Sequence, residues 1–332
     1  MDDFPIAVIP DTPNWAENFC LAGYDPGSGI DIYLHMGRWR KDRSLWRELV
    51  AIRLPDNTVI AHRAIGKGRS EDRSPGGPNM RVRILEPGRH FEWDFLGGAR
   101  RVPADYLRDN ILDDGPLSRV QFSFDYVADL PAWDLGTAGE NSAMVGHGHV
   151  EQIGRARAEI RVDGEVFHFD SAVNRDHSRG PRVLGKLYGH LWMQGILSDG
   201  TCFHCYEAQE GSRDNTVMSA ACVIVGGEMK QAQLEVGYHL PPQDALAHIE
   251  DEIPFRLTWE GGSIAGRVTC FPATVFCQFT SPSDSYIGVR QIDEDANSRY
   301  IQQALTFTLD DGRQGYGHAE RTVPGKTIAD PA

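Results

Sequence analysis

The chain has 332 residues, of which 41% are hydrophobic and 24% are charged, and its formal net charge at pH 7 is −14. These proportions are typical of a globular protein with a sizeable core, and no apolar run reaches the about 18 residues that a membrane-spanning helix needs. Because so negative a chain repels phosphate groups, we expect no nucleic-acid partner. Because no apolar run is long enough, we also expect no membrane span.

The N-terminal residues and the cysteines bear on the cellular compartment. Met1–Asp11 contains acids and lacks the basic and apolar segments of a secretory signal, which favours the cytoplasm. The cysteines show no disulfide-framework spacing, so we expect reduced and mostly buried thiols. They are Cys20, Cys202, Cys205, Cys222, Cys270 and Cys277.

Pairs of turn-forming residues recur along the chain between short stretches of alternating polar and apolar residues, a pattern typical of β-hairpins. The pairs are Asp56-Asn57, Asp163-Gly164, Asp199-Gly200, Gly261-Gly262 and Asp311-Gly312. The clearest stretch is ARAEIRVDGEVFHFDS, in which Ala158, Ile160 and Val162 alternate with polar residues up to the Asp-Gly turn. Such alternation predicts two antiparallel strands that each expose one face.

Helical periodicity is scarce by comparison. Short helices are predicted around Pro103–Leu112 and Gln243–Glu252. The Gly-rich segments Gly66–Pro78 and Leu135–Gly148 are predicted to be long loops, the second of them a candidate pocket rim. A chain built mainly of hairpins favours antiparallel barrels or sandwiches. Its length suits two domains, which we predict at 1–155 and 156–332.

The densest polar stretch is NRDHSRGPR, residues 174–182. Asp176 and His177 supply a carboxylate and an imidazole, the groups most often used for proton transfer near neutral pH. Adjacent residues of a strand point to opposite faces, so both enter one pocket only if the chain turns there, as the following Ser, Gly and Pro suggest. The stretch is either a pocket wall, in which Arg175 and Arg182 hold acids in place, or a structural junction in which Arg182 pairs with Asp176.

The stretch CFHCYE contains a Cys-x-x-Cys pair, which invites a zinc interpretation. On a strand, however, Cys202 and Cys205 face opposite sides of the sheet, and no second pair completes four ligands. His204 and Glu207 also face opposite sides, so either one could point inward. We therefore favour packed strand residues over a metal site here.

The stretch GHGH offers His147 and His149 on one face, with Glu151 next on that face. This row is either a metal site or the solvated end of a strand. The sequence contains no P-loop, no Gly-x-Ser-x-Gly elbow, no His-Glu-x-x-His and no dinucleotide fingerprint. We therefore expect no cofactor.

Three stretches in chain order carry a family resemblance: WAENFCLAGYDPGSGIDIYLHMGR, HVEQIGRARAEIRVDGEVFHFDSAVNRDHSRGPR and DDGRQGYGHAER. They resemble the signature regions of the carotenoid 1,2-hydratase (hydroxyneurosporene synthase) and AttH-like group. The resemblance spans almost the whole chain. It implies an all-β fold of two lipocalin-like antiparallel β-barrels packed together, with few short helices.

The central signature of that group is similar to the polar stretch of this chain. The matching residues are Arg175, Asp176, His177, Ser178, Gly180 and Arg182. Asn174 stands where glycine is usual, and Arg179 stands where tryptophan is usual. An aromatic pocket wall favours a cationic or polyene ligand, whereas Arg179 either binds a carboxylate or phenolate or turns outward.

The resemblance implies a cofactor-independent acid–base enzyme, namely a hydratase or dehydratase, an isomerase or a cyclase. Its substrate would be a hydrophobic unsaturated small molecule such as a terpenoid, steroid or polyketide, bound between the barrels. Asp176 is then the general acid, with His177 as its partner and Glu151 as another candidate carboxylate. The predicted substrate-binding residues are Arg175, Arg179, Arg182, Tyr24, Trp192, His204 and Glu207.

The alternative function is that of a non-catalytic lipocalin-like binder or carrier of a hydrophobic ligand. In that case the polar stretch braces the junction of the domains. Either function is compatible with a homo-oligomer.

Overall fold

The structure, a computed structural model, describes residues 2–39, 41–68, 73–106, 116–138, 141, 145–181, 187–212, 214–236, 252–271, 275–280, 284–287 and 296–324. The chain forms two compact units, and antiparallel strands build each of them. Among the described residues there is no helix with the length and apolar character needed to cross a membrane.

The first unit contains ten strands among its described residues. They are β1 (Trp15–Asp25), β2 (Ile30–Arg38), β3 (Trp46–Arg53), β4 (Thr58–Gly66), β5 (Met80–Glu86), β6 (His90–Pro103), β7 (Leu117–Val127), β8 (Trp133–Asp134), β9 (Gly148–Val162) and β10 (Glu165–Pro181). Eight of them close a barrel in the order β1-β2-β3-β4-β6-β7-β9-β10, because β10 pairs with both β9 and β1. Strand β5 pairs with β6, and β8 pairs with β9.

The second unit also contains ten strands among its described residues. They are β11 (Leu187–Leu197), β12 (Cys202–Glu210), β13 (Thr216–Val225), β14 (Glu228–Val236), β15 (Glu252–Trp259), β16 (Gly262–Cys270), β17 (Val275–Thr280), β18 (Asp284–Ile287), β19 (Ala296–Leu309) and β20 (Gln314–Pro324). Its barrel closes where β16 pairs with β19, in the order β16-β15-β14-β13-β12-β11-β20-β19. The predicted all-β fold of two antiparallel barrels is confirmed.

The predicted domain boundary at 155/156 lies too early in the chain. It falls within β9, which belongs wholly to the first barrel, and the strands of the second barrel begin only with β11 at Leu187. The physical reason is that a hairpin pattern does not reveal which sheet the hairpin closes. Here the β9–β10 hairpin pairs back to β1 and completes the first barrel.

The predicted helices lie largely outside the described residues. Residues 107–115 and 243–251 are not described, and Glu252 begins β15. Of the second predicted loop, Leu135–Thr137 forms a short 3-10 helix. The cysteines that the structure describes in full are buried, as predicted; they are Cys20, Cys202, Cys205, Cys222 and Cys270.

Aromatic residues fill the first barrel. Along β7, exposed and buried residues alternate, and the buried set includes Phe122, Phe124 and Tyr126. Phe122 stacks on Phe95 at 5.2 Å between ring centroids, and Phe124 packs edge-on against Phe169 at 5.4 Å. Burial of such rings, together with the aliphatic side chains of the core, stabilises the barrel.

Strands β1 and β10 depart from this one-sided pattern. Almost every residue of β1 is buried, and so are most residues of β10 from Val173 onward. We call the face of a strand that points into its barrel core the inner face, and the opposite one the outer face. Both faces of β10 therefore place polar side chains away from water, which is the setting of the candidate site.

Candidate functional site

The β9–β10 hairpin sets the register of the site. Its Asp163-Gly164 turn has positive φ angles of 50° and 95°, which a two-residue hairpin turn requires. Strand pairing then runs outward from Glu165 opposite Val162 and places Asp176 directly opposite Glu151. Opposed residues share a face of the sheet, so these two carboxylates become neighbours.

Three ionisable side chains meet on the outer face of the hairpin; we call His149, Glu151 and Asp176 the acid–imidazole cluster. His149 Nε2 lies 2.8 Å from Glu151 Oε1 and 3.4 Å from Asp176 Oδ1. Asn174 Nδ2 donates a hydrogen bond of 2.5 Å to Glu151 Oε2. Glu151 and Asn174 are fully buried, whereas the Asp176 side chain is 15% exposed. Asp176 is thus the most exposed member of the cluster.

Electrostatics favours extra protons in this cluster. Burial lowers the pKa of His149, but the carboxylates of Asp176 and Glu151 outweigh burial and raise that pKa to about 9. Burial and repulsion from Asp176 raise the pKa of Glu151 to about 6, against the opposing effect of His149 and Asn174. A protonated imidazole therefore bridges two carboxylates near neutral pH, and one of those carboxylates titrates close to that range.

Arg175 lies on the inner face of β10 and has structural partners there. Its side chain is 2% exposed; Nη1 donates to Asp3 Oδ1 at 2.7 Å, and Nη2 donates to Gln152 Oε1 at 2.9 Å. The guanidinium carbon lies 4.2 Å from the ring centroid of Phe91. Two nitrogens of Arg175 and its ring contact are thus engaged inside the first barrel, and a substrate-binding role for this residue stays a prediction.

His177 also points to the inner face, away from Asp176. Its ring stacks on Phe19 at 3.9 Å between centroids, and its Nε2 lies 3.6 Å from Glu17 Oε1. Burial lowers the pKa of His177. The predicted pairing of Asp176 with His177 is corrected: no turn reverses β10, which continues to Pro181, and the imidazole beside Asp176 is that of His149.

Glu17 anchors this inner-face group. Arg38 Nε donates to its Oε2 at 2.8 Å, and the Ile6 N–H donates to its Oε1 at 3.0 Å. Burial raises the pKa of Glu17, but the neighbouring His177 and the hydrogen bonds from Arg38 and Ile6 outweigh burial and lower it. The inner-face carboxylate is therefore ionised, whereas the pKa of Glu151 on the outer face is raised.

For two of the predicted arginines, a substrate-binding role stays a prediction. Arg179 is half-buried on β10, in register with Glu17 of β1, and Arg182 lies outside the described residues. Tyr24 is buried on β1, where its carbonyl oxygen accepts a hydrogen bond of 2.8 Å from Ser171 Oγ.

The remaining predicted residues lie in the second barrel. Trp192 and His204 are buried on the outer faces of β11 and β12, since the adjacent Met193 and Phe203 belong to the core. Glu207 lies on the opposite face of β12 from His204; burial raises its pKa, and its Oε1 accepts a hydrogen bond of 2.6 Å from Gln209.

The metal interpretations change with the geometry. Cys205 belongs to the second barrel's core and Cys202 does not, which matches the predicted opposite facing of the pair. His147 is exposed. The ligand atoms of His149, Glu151 and Asp176 lie within 4.8 Å of one another, so the described residues include a spacing that an ion could also bridge.

Sequence reasoning missed the roles of His149 and Asn174 in the proton-holding cluster. The signal was present, because a two-residue turn at Asp163-Gly164 fixes every later pair of the hairpin and aligns Glu151 with Asp176.

Solved structures similar to the chain share its fold at low sequence identity. An AttH-like protein from Nitrosomonas europaea has a TM-score of 0.59 and 12% identity, over 96% of this chain and 98% of that one. CghA has a TM-score of 0.55 and 12% identity, over 98% and 96%, and another CghA structure contains Sch210972. Kievitone hydratase from Nectria haematococca has a TM-score of 0.53 and 13% identity, over 98% and 94%.

At these identities the likeness establishes the fold. The AttH-like part of the predicted resemblance is confirmed at that level, whereas a relationship to carotenoid hydratases stays a prediction. No curated protein matches the chain in sequence. A family match covers residues 2–324, and the chain therefore belongs to the DUF7064 family, whose domain has no known function.

Proposed function

We propose that the chain is a cofactor-independent acid–base enzyme that acts on a hydrophobic, unsaturated small molecule such as a terpenoid, steroid or polyketide. The observation that carries the proposal is the acid–imidazole cluster, a buried set of proton-holding groups with one partly exposed member. Kievitone hydratase and CghA have the same fold, which supports hydration, isomerisation or cyclisation as the reaction class.

Asp176 is the catalytic residue in this proposal because it is the most exposed carboxylate of the cluster. His149, 3.4 Å away, replaces the proton that Asp176 gives up, and Glu151 holds the imidazole in position at 2.8 Å. A proton relay of this kind contributes about 10²–10⁴-fold to a rate. Tyr24 and Trp192 remain candidate contacts for the apolar part of the substrate.

Hydration of a C=C bond by the cluster takes two steps, transfer of a proton and addition of water. In the form of the cluster that carries a second proton, on Asp176, the π electron pair of a C=C bond takes that proton, a C–H bond forms, and the neighbouring carbon becomes a cation near the resulting carboxylate. The oxygen of a water molecule then forms a C–O bond with that carbon, and the water's surplus proton returns to the cluster. Loss of a proton from an adjacent carbon would instead give an isomer, and attack by a second C=C bond would give a ring.

The test is an isotope experiment with the full chain. Wild-type protein is incubated with a panel of unsaturated terpenoids, steroids and polyketides in deuterium oxide or heavy-oxygen water, and mass spectrometry measures isotope incorporation. We expect Asp176→Asn to lower incorporation about 10²–10⁴-fold. Asp170→Asn is the matched control, since Asp170 is on the same strand but its side chain is 47% exposed and pairs with Arg155. Equal loss in both variants would contradict the assignment.

A carrier remains the second candidate, because every carboxylate of the cluster already has a partner, as in a structural brace. The two functions differ in the Asp176→Asn variant. An enzyme keeps its affinity for the compound and loses turnover, whereas a carrier shows no turnover in any form and changes only in stability or affinity.

A further inference from the structure

A second group of buried polar side chains lies on the outer face of the second barrel. On β11, Gln194 is directly opposite His204 of β12 on one side and His318 of β20 on the other. The adjacent Met193 and Ala319 point into the barrel core. An amide thus stands between two imidazoles on three neighbouring strands.

The Gln194 side chain is buried without a hydrogen-bond partner among the described residues. It is 3% exposed, and both its Nε2 and its Oε1 are inaccessible to solvent. A buried amide left in this state destabilises the fold. The cost is unexplained unless a group from outside the chain completes the hydrogen bonds.

Another glutamine on the same face shows the contrast. Gln302 is fully buried, yet its Oε1 accepts a hydrogen bond of 2.8 Å from His318 Nε2 and its Nε2 donates to Glu320. Glu320 also lies 3.1 Å from His190 Nε2. These contacts satisfy the Gln302 amide, whereas neither polar atom of the Gln194 side chain has a hydrogen-bond partner among the described residues.

The surroundings of Gln194 favour an uncharged ligand group. His204 is completely buried, and burial lowers its pKa to about 3, so its imidazole is neutral at physiological pH. Cys222 and Ala304 extend the row beyond the two histidines and carry no charge. A hydroxyl group can use both the donor and the acceptor side of an amide and a carbonyl group accepts from its donor side, whereas a carboxylate would lose its hydration among these uncharged groups.

We propose that Gln194, between His204 and His318, binds a hydroxyl or carbonyl group of an uncharged small molecule. This site does not depend on the acid–base reaction, because it lies in the second barrel and needs no proton transfer. An experiment that contradicts one of the two proposals therefore does not contradict the other.

The first experiment compares two variants without ligand. Gln194→Met removes an unsatisfied amide at nearly constant volume, so we expect the Tm to rise by about 2–4 °C. Gln302→Met is the matched control: it breaks two hydrogen bonds on the same face and should lower the Tm. If Gln194→Met lowers the Tm as well, the amide already has a partner, such as an internal water, and the proposal fails.

The second experiment measures binding to the full chain by fluorescence titration with four probes: 2-naphthol, 2-acetonaphthone, naphthalene and 2-naphthoate. We expect the hydroxyl and ketone probes to bind about tenfold more tightly than naphthalene, the gain from one well-formed hydrogen bond, and the carboxylate to bind most weakly. In Gln194→Met the advantage should vanish while naphthalene binds as before. Equal affinities in wild type, or an advantage that survives the substitution, would overturn the proposal.

Discussion

The two faces of β10 hold polar side chains in opposite ways. On the inner face, Arg175 and His177 pair with Asp3 and Glu17 within the first barrel's core. On the outer face, Asp176 joins a carboxylate and an imidazole of β9 in a cluster with raised pKa values. The inner contacts satisfy charge and fix the strand, whereas the outer contacts place like charges together and retain protons.

This difference shows that one polar stretch contains two interleaved sets of residues. Strand alternation separates them, because each residue points away from its sequence neighbours. The inner set is expected to matter for stability, and the outer set for chemistry. The number of polar residues in the stretch is therefore larger than the number that meet on either face of the strand.

The largest expected effect concerns the inner face. Arg175→Met leaves the Asp3 carboxylate buried without its guanidinium partner and removes a donor from Gln152. Breaking a buried pair in this way costs about 3–5 kcal/mol. Urea unfolding of the variant at neutral pH measures this loss directly.

Asp176→Asn on the outer face is the comparison for that experiment. Its side chain is partly exposed, His149 keeps Glu151 as a partner and the repulsion between Asp176 and Glu151 is relieved, so we expect a smaller loss of stability than in Arg175→Met. If Arg175→Met and Asp176→Asn destabilise the protein equally, the division between the two faces of β10 is wrong.

Much of the fold follows from the sequence because local turn chemistry determines it. All of the predicted turn pairs lie at hairpins of the structure, from Asp56-Asn57 between β3 and β4 to Asp311-Gly312 between β19 and β20. The assignment of the β9–β10 hairpin to a barrel did not follow, because its pairing with β1 joins residues far apart in the chain.

The site was only partly predictable for similar reasons. Asp176 and Glu151 were candidates from their chemistry, and the hairpin register aligns them. Arg175 and Asp3 form an ion pair although they are 172 positions apart in the sequence, and no local sequence pattern predicts such a pair. Burial on both faces of β1 and β10 also removes the alternation that would reveal which residues point inward.

A smaller effect tests the electrostatics of the outer face. Because the folded-state pKa of His149 is raised from 6.5 to about 9, its contribution to stability is complete below pH 6.5 and is lost as the pH rises through about 9. This loss amounts to about 2–3 kcal/mol between pH 6.5 and pH 9.5. Urea unfolding across that range, together with NMR titration of the His149 ring, measures it.

Asp176→Asn removes the largest influence that raises the pKa of His149, so the variant has less stability to lose over the same range. Asp170→Asn, on the same strand and outside the cluster, should keep the wild-type pH profile. Parallel profiles for wild type and Asp176→Asn would show that the cluster does not hold its extra proton on His149.

The smallest expected effect concerns Asn174, whose amide donates to Glu151 Oε2 and favours the charged carboxylate. Asn174→Ala removes that donor and should raise the pKa of Glu151 further, by the equivalent of about 1–2 kcal/mol. The carboxyl carbon of Glu151, followed by NMR against pH, then titrates at a higher pH than in wild type. Asn79→Ala is the control, because Asn79 donates in the same way to Glu48 at 2.7 Å and its loss should leave Glu151 unchanged. If Glu151 titrates alike in wild type and Asn174→Ala, burial and Asp176 alone set its pKa, and Asn174 belongs with the residues that hold β10 in place.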